Sequence, residues 1–436
     1  VYGAMLFTAI GKVSVPLVGP ELFGMQTEHV LVPIVAIVVT LYGVLGGIAA
    51  AYWTDLIQGF CIILLSVLLI PFGLHAVVEK FGSPGDSWTD GFRVMHEQLP
   101  ADNFTILGGS AASEFPLYAI VVIVIMNIIG IVLTPHFIVT GGGTAKSEQD
   151  ARIGLVTGNF IKRFCTIGWV ITALIVLTLF GDDMALIEDA DMAWGTATKE
   201  LLGPLGIGLV GLMLACLLAA LMSSVDCYML VCSALVVRNI YVPFVNPKAG
   251  EKECLLLGRA TGGVVVLGAV IISVTMLDMF KQLELTWVVP MTFAALFWVG
   301  MYWRRATTKA GWITVAFCVL TFFILPRLIP TVAPSLRTEP SLVQTNLKTE
   351  TGGGKSIYWS GGVDEKQGIA TGVGSFRFDM LIYDKIPGVD LTKVSNAALK
   401  TLEFPFKIIA PFLVMIIASL LTKPNDKKAL DRLYVK

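Results

Sequence analysis

Ten stretches of this 436-residue chain are apolar over close to the length that a bilayer core demands, and that pattern leaves a helical membrane protein as the architecture. A hydrocarbon layer about 30 Å thick is crossed by about 20 helical residues, whose backbone groups must all be bonded within the helix. The stretches are 1–20, 30–48, 53–78, 115–137, 153–181, 205–237, 256–279, 285–303, 310–330 and 403–422. Hydrophobic residues make up 55% of the chain and charged ones 14%, with a mean hydropathy of +0.78. Soluble domains carry about 25% charged residues. The expected class is an all-α polytopic membrane protein, multi-pass in the cell (plasma) membrane and embedded in lipid. The formal net charge is −1 and no basic patch interleaves with aromatics, which argues against nucleic acid as a partner.

Lysine and arginine placement orients the spans, because cytoplasmic loops retain positive charge. Lys146, Arg152 and Arg163 flank one segment, Arg238, Lys248, Lys252 and Arg259 the next alternate one, then Arg304, Arg305 and Lys309, and finally Lys423, Lys427, Lys428 and Arg432. These segments are expected inside. The intervening ones carry Asp86, Asp90, Glu97, Asp102 and Glu114, or Asp182, Asp183, Glu188, Asp189 and Asp191, and are expected outside. On this topology 331–402, rich in Gly, Ser, Thr and Lys, is an extracellular or periplasmic loop, a partly ordered excursion before the last span. Residues 423–436 form a cytoplasmic tail. Asn103-Phe104-Thr105 is an external glycosylation sequon, meaningful only in a glycosylating host. The seven cysteines lie in apolar spans or in the lysine-rich loop around Cys254, with no Cys-x-x-Cys pair or zinc spacing, and read as packing residues. The chain opens at Val1 already inside an apolar helix and reads as a fragment lacking its N-terminus.

The run from Leu218 to Val237 sets Ser223, Ser224 and Asp226 in the middle of apolar sequence. An aspartate at a helix centre costs roughly 2.5–3.5 kcal/mol on insertion scales, so Asp226 is paired, protonated, or facing a polar cavity. Ser223, Asp226 and Cys227 share one helix face, with Ala220 one turn above. A second polar segment follows Gly46-Gly47, which interrupts one helix before Trp53-Thr54-Asp55 opens another. Asp55 near a helix start has an ordinary reading as a dipole-favoured cap. Gly141-Gly-Gly-Thr144 has no phosphate-loop spacing and reads as a flexible cytoplasmic loop. Lys12 has no explanation in the sequence.

Tyr42, Gly46-Gly47, Trp53-Thr54-Asp55 and Gln58, then Pro135-His136, then Ala220-Leu-Met-Ser223-Ser224, then Tyr302-Trp303-Arg304-Arg305 resemble, in that order, the sodium:solute symporter family. The resemblance covers residues 1–330. It implies a LeuT-type inverted-repeat transporter fold, with solute and sodium held near the midplane where helices unwind. Val1 then falls in the third core helix, so that the first core helices are missing and 1–330 holds about nine spans. Segment 403–422 becomes a peripheral transmembrane helix. By the same resemblance the Ala220 carbonyl and the Ser223 and Ser224 hydroxyls match the main sodium site. Serine hydroxyls bonding back to their own helix are the alternative reading.

Asp55, Asp226 and Cys227, beside Ser223, match a second cation site of some members. Asp226 stands where those members carry a neutral residue, and Cys227 is a poor sodium ligand, so two carboxylates sharing a proton is the alternative reading. Asn127, seven residues before Thr134, and Lys162 match sugar-contacting positions of sugar-transporting relatives. Helix-packing glue and a cytoplasmic anchor are their alternatives. The glutamine expected on the tenth core helix falls at Leu283, between Gln282 and Glu284. The implied function is import of a small organic solute, sugar-like by weak preference, with sodium as the coupling ion. No cofactor and no catalytic residue are called for, so the chain does not read as an enzyme. A solute sensor of the same fold joined to a signalling domain is the alternative.

Overall fold

The computed structural model describes residues 1–105, 117–136, 139, 145–276, 278–343, 345–348, 354–366, 368–394, 399 and 401–434. The Gly141–Thr144 loop expected from the sequence lies outside these residues. Apolar helices dominate: α1 (Tyr2–Val18), α2 (Thr27–Gly47), α3 (Ala51–Phe81), α4 (Leu117–Leu133), α5 (Glu148–Phe180), α6 (Leu209–Val245), α7 (Glu251–Thr275), α8 (Lys281–Tyr302), α9 (Thr308–Val332) and α10 (Glu403–Leu421). Among the described residues, eight are long and apolar enough to cross a membrane, while α1 and α4 are shorter. Each stretch read as a span in the sequence coincides with one of them.

Prolines and glycines shape these helices. Gly47 separates α2 from α3 with φ 62° and ψ −162°, a backbone region open in practice to glycine alone. Val237–Val245, containing Pro243, and Val319–Ile324, just before Pro326, are wound as π-helix. Proline lacks an N–H and its ring crowds the carbonyl one turn back, so a wider turn accommodates it. Between α1 and α2, a short hairpin pairs Glu21–Leu22 with Met25–Gln26. Phe23 and Gly24 at its tip both have positive φ, as a tight primed turn requires.

The chain divides into two compact units, each built from two separate segments: 1–101 with 135–286, and 102–134 with 287–436. In the first unit one core joins α1, α2, α6 and α7 through Phe7, Ile10, Val39, Val225 and Met229. A second joins α1, α3, α5 and α6 through Val13, Leu69, Val176, Met213 and Cys216. A third seats the amphipathic helix Gly91–Gln98 on α3 and α5. The α3–α5 contact is tight at Ser66. Trp169 donates its indole N–H to the Ser66 hydroxyl at 2.7 Å, and a side chain at Gly168 would collide with the Ser66 carbonyl.

In the second unit Met126, Val288, Met291, Cys318, Phe322 and Phe404 join α4, α8, α9 and α10. Within 331–402, expected as a partly ordered excursion, the described residues build structure of their own. Four short strands, Thr345–Lys348, Gly354–Ser356, Val363–Lys366 and Ile369–Gly372, form an antiparallel meander in sequence order. Beside them Tyr358, Trp359, Phe376, Met380 and Leu391 build a hydrophobic core of their own. Trp359 is 1% exposed, donates to the Leu342 carbonyl at 3.0 Å and lies under the Arg337 guanidinium. Composition hid this module, because a few large side chains converge among many small polar ones.

Candidate cation and solute sites

The centre of α6 is regular α-helix from Leu209 to Val236. Asp226 is wholly buried there, at 0% exposure. Its Oδ2 accepts a 2.8 Å hydrogen bond from the Tyr42 hydroxyl of α2, which also lies 3.4 Å from the Met222 carbonyl. Close approach of α2 makes this bond geometrically available. Gly43 faces Asp226 and Met229, and a Cβ there would collide with the Met229 methyl. Past the Gly47 break, α3 brings Asp55 to the neighbouring residue of α6, and the Cys227 thiol donates to Asp55 Oδ2 at 3.7 Å. One ligand atom each from Asp55, Asp226 and Cys227 lie within 4.8 Å of one another. Asp55 Oδ1, Asp226 Oδ1 and Gln58 Oε1 are buried with no hydrogen-bond partner among the described residues. Asp55 stands beyond the first turn of α3, so it faces α6 instead of capping its own helix.

The expected main-site residues arrange differently. The Ser223 hydroxyl donates to the Ala220 carbonyl at 2.8 Å, so these two oxygens are bonded to each other within one helical turn. The Ser223 oxygen keeps lone pairs to offer, and Ser224 is half-buried one position on. Tyr42 bonds to this cluster, and Gln58 lies one turn beyond Asp55 on α3, although the sequence reading assigned them no ligand role. Their polar side chains inside the apolar runs of α2 and α3 were the signal for it. Tyr42→Phe strips a donor from a buried carboxylate and is expected to lower stability by about 1.5–3 kcal/mol. Thermal unfolding in detergent measures it, and an unchanged midpoint would remove Tyr42 from the cluster's support.

Of the residues matched to solute contact, Gln282 is fully buried. Its amide donates to Thr8 Oγ1 at 2.8 Å and to the Met276 carbonyl. Thr8 in turn meets Ser273 at 2.9 Å and donates to the Ala4 carbonyl. Gln282 Oε1 has no partner among the described residues. Glu284 is half-buried nearby in sequence. Asn127 is exposed and donates to the Ile123 carbonyl of its own helix, as a packing amide does. Lys162 is exposed on α5. Asn127 falls in the second unit and Lys162 in the first.

Lys12, unexplained by sequence, forms an ion pair with Asp189 and lies 3.9 Å from Glu28. Beside this pair, burial first and the Asp189 charge second raise the carboxyl of Asp191 above its ordinary range.

Residues 6–315 match the model of the sodium:solute symporter family. The chain belongs to that family. It is 24% identical over 317 residues to a sodium/glucose cotransporter of Vibrio parahaemolyticus, covering 69% of this chain and 57% of the relative. It is 26% identical over 277 residues to the sodium/proline symporter of Escherichia coli, covering 62% and 50%. Against the sodium/myo-inositol cotransporter 2 of Bos taurus the identity is 25% over 331 residues, covering 69% and 48%. The chain thus spans about half the length of the relatives it matches. A substrate-bound, outward-open structure of a Na+-coupled sialic acid symporter superposes with a TM-score of 0.58 at 13% identity, covering 98% of this chain and 75% of that one. The family's LeuT-type fold, implied by the sequence motifs, is the fold of this multi-pass membrane chain.

Proposed function

We propose that the protein imports a small organic solute into the cell across its plasma membrane, driven by sodium and working by alternating access. The buried oxygen cluster at the centre of α6 carries this reading, since uncompensated carboxylates at membrane depth are too costly to keep without a task. Sodium is assigned to the Ala220 carbonyl and the Ser223 and Ser224 hydroxyls, a hard oxygen set suited to a hard ion. The solute is assigned to the sugar or polyol class, with Gln282 Oε1 accepting a solute hydroxyl. Glu284 and Lys162 are further candidates for contact. About 100 mV contributes roughly 2.3 kcal/mol per charge and a tenfold sodium gradient roughly 1.4, so one sodium supports a solute gradient of several hundredfold.

Uptake by the full-length protein in proteoliposomes tests the proposal. An inward sodium gradient should concentrate one sugar-like solute among sugars, polyols, amino acids and carboxylates, and collapsing the gradient should abolish accumulation. Accumulation indifferent to sodium overturns the coupling.

The charge asymmetry of the loops assigns Cys254 and the C-terminal lysines to the cytoplasm and 79–114 and 331–402 to the outside. In single-cysteine variants a membrane-impermeant maleimide is expected to spare Cys254 in intact cells and to label cysteines introduced in 331–402. The reverse pattern inverts the topology.

A further inference from the structure

Lysines from two distant parts of the chain gather where the loop after α8 meets the segment that follows α10. Asn425 is the hub. Its Oδ1 accepts from the Thr308 backbone N–H at 3.2 Å, across 117 residues of chain, and its Nδ2 donates to the Ala306 carbonyl at 3.3 Å. Beside it Arg305 donates to the Thr422 carbonyl at 2.8 Å, and the Thr307 and Thr422 hydroxyls are bonded at 2.5 Å. Lys423 and Lys427 stand two residues to either side of Asn425, Lys428 follows, and Lys309 follows Thr308. All four lysines are exposed, and none forms an ion pair among the described residues. Asp426 is the one acid beside them, so four positive charges less one negative leave an excess of three.

A short helix, α11 (Lys427–Tyr434), keeps this cluster at the membrane rim. Asp431 pairs with Arg304, and the Tyr434 hydroxyl donates to the Gly300 carbonyl in the last turn of α8. With Asn425 before it and Tyr434 at its end both tied down, α11 runs along the ends of α8 and α9 and does not project away from them. Exposed apolar surface reaches up to the same rim: Leu421, closing α10, is 82% exposed, and Tyr302, closing α8, is 76% exposed. Cations begin within two residues of each, at Lys423 and Arg304. A border where exposed apolar side chains give way to positive charge is where hydrocarbon gives way to headgroups.

Like charges drawn together cost energy unless an anion lies among them. The bonds of Asn425 draw these together at the one level of the protein where an anion carries acyl chains. We propose that Lys309, Lys423, Lys427 and Lys428 bind the headgroup of an anionic phospholipid, whose chains lie against the exposed end of α10. The loop charges assign this rim to the cytoplasmic leaflet. Binding itself stands independently of that orientation and of solute transport.

The full-length protein, purified and delipidated in a neutral detergent, is titrated with phosphatidylglycerol, with phosphatidylcholine and with glycerol 3-phosphate, and bound molecules are counted by native mass spectrometry. Phosphatidylglycerol should bind at least about tenfold more tightly than phosphatidylcholine, and glycerol 3-phosphate should not compete with it. A lysine at the surface adds about fivefold in affinity for an anionic lipid. Lys423→Gln, Lys427→Gln and Lys428→Gln together should therefore weaken phosphatidylglycerol about a hundredfold and leave phosphatidylcholine unchanged. Asn425→Ala keeps every charge but releases the hub, and should weaken phosphatidylglycerol at least about threefold. Lys248→Gln with Lys252→Gln, exposed just before and at the start of α7, removes charge elsewhere and should have no effect. Equal affinity for the two lipids, retention of phosphatidylglycerol by the triple variant, or an equal loss in the Lys248 and Lys252 pair overturns the site. An unchanged affinity in Asn425→Ala overturns the hub, and glycerol 3-phosphate binding as tightly as the lipid overturns the lipid as occupant.

Discussion

A protein carrying Ser223→Ala and Ser224→Ala together should need at least about a hundredfold more sodium for half-maximal uptake, with its amount in the membrane nearly unchanged. Contacts to a charged group contribute about 1.5–3 kcal/mol each, which is roughly tenfold or more per hydroxyl. The single exchanges should differ. Ser223 already donates to the Ala220 carbonyl, so its loss frees that carbonyl to turn to the ion, and the shift should be the smaller one. Ser224→Ala offers no such compensation and should show the larger shift. Sodium titrations of initial uptake rate read both. An unchanged sodium requirement in the double variant would move the coupling site away from this turn of α6.

The second large effect is expected at the break between α2 and α3. Gly47→Ala places a Cβ on a backbone at φ 62° and ψ −162°, at a strain of about 1–3 kcal/mol if the break is kept. If the break is lost, α2 continues straight and Asp55 leaves Cys227. Either way the unfolding temperature should fall, and uptake should fall with it. Gly46→Ala is the matched control, because Gly46 is exposed and lacks a positive φ. It should be neutral or slightly stabilising, since alanine is the better helix former. Equal losses at both positions would mean that the strained backbone is not what sets the carboxylates in place.

The spans and the family motifs were legible because membrane insertion writes a strong one-dimensional signal: about 20 apolar residues, then charge. Gly46-Gly47 marked its helix break for a similar reason, since few backbones other than glycine allow one. The site was only partly legible. Asp226 announced itself by cost, but its neighbours Tyr42 and Asp55 come from helices far away in sequence. The Asp55–Cys227 contact spans 172 residues, so no metal-ligand spacing could reveal it. Whether Ser223 would bond to its own helix or stand free is a rotamer choice that spacing leaves open. In the 331–402 module, Trp359 and Phe376 were too few to outweigh the glycines and threonines around them.

The ion pair of Lys12 and Asp189 bears on the order in which the chain is made. A lysine within an apolar helix resists lipid by roughly 2.5–3.5 kcal/mol when alone, and its close partner here is synthesised 177 residues later. Until then Glu28, at 3.9 Å in the finished protein, is available to offset the charge. Biogenesis therefore gives α1 two successive companions, a provisional acid from the next helix and then the final one from the Asp189 segment. α1 precedes α2 to α10 in the chain, yet it is among the last of them to settle.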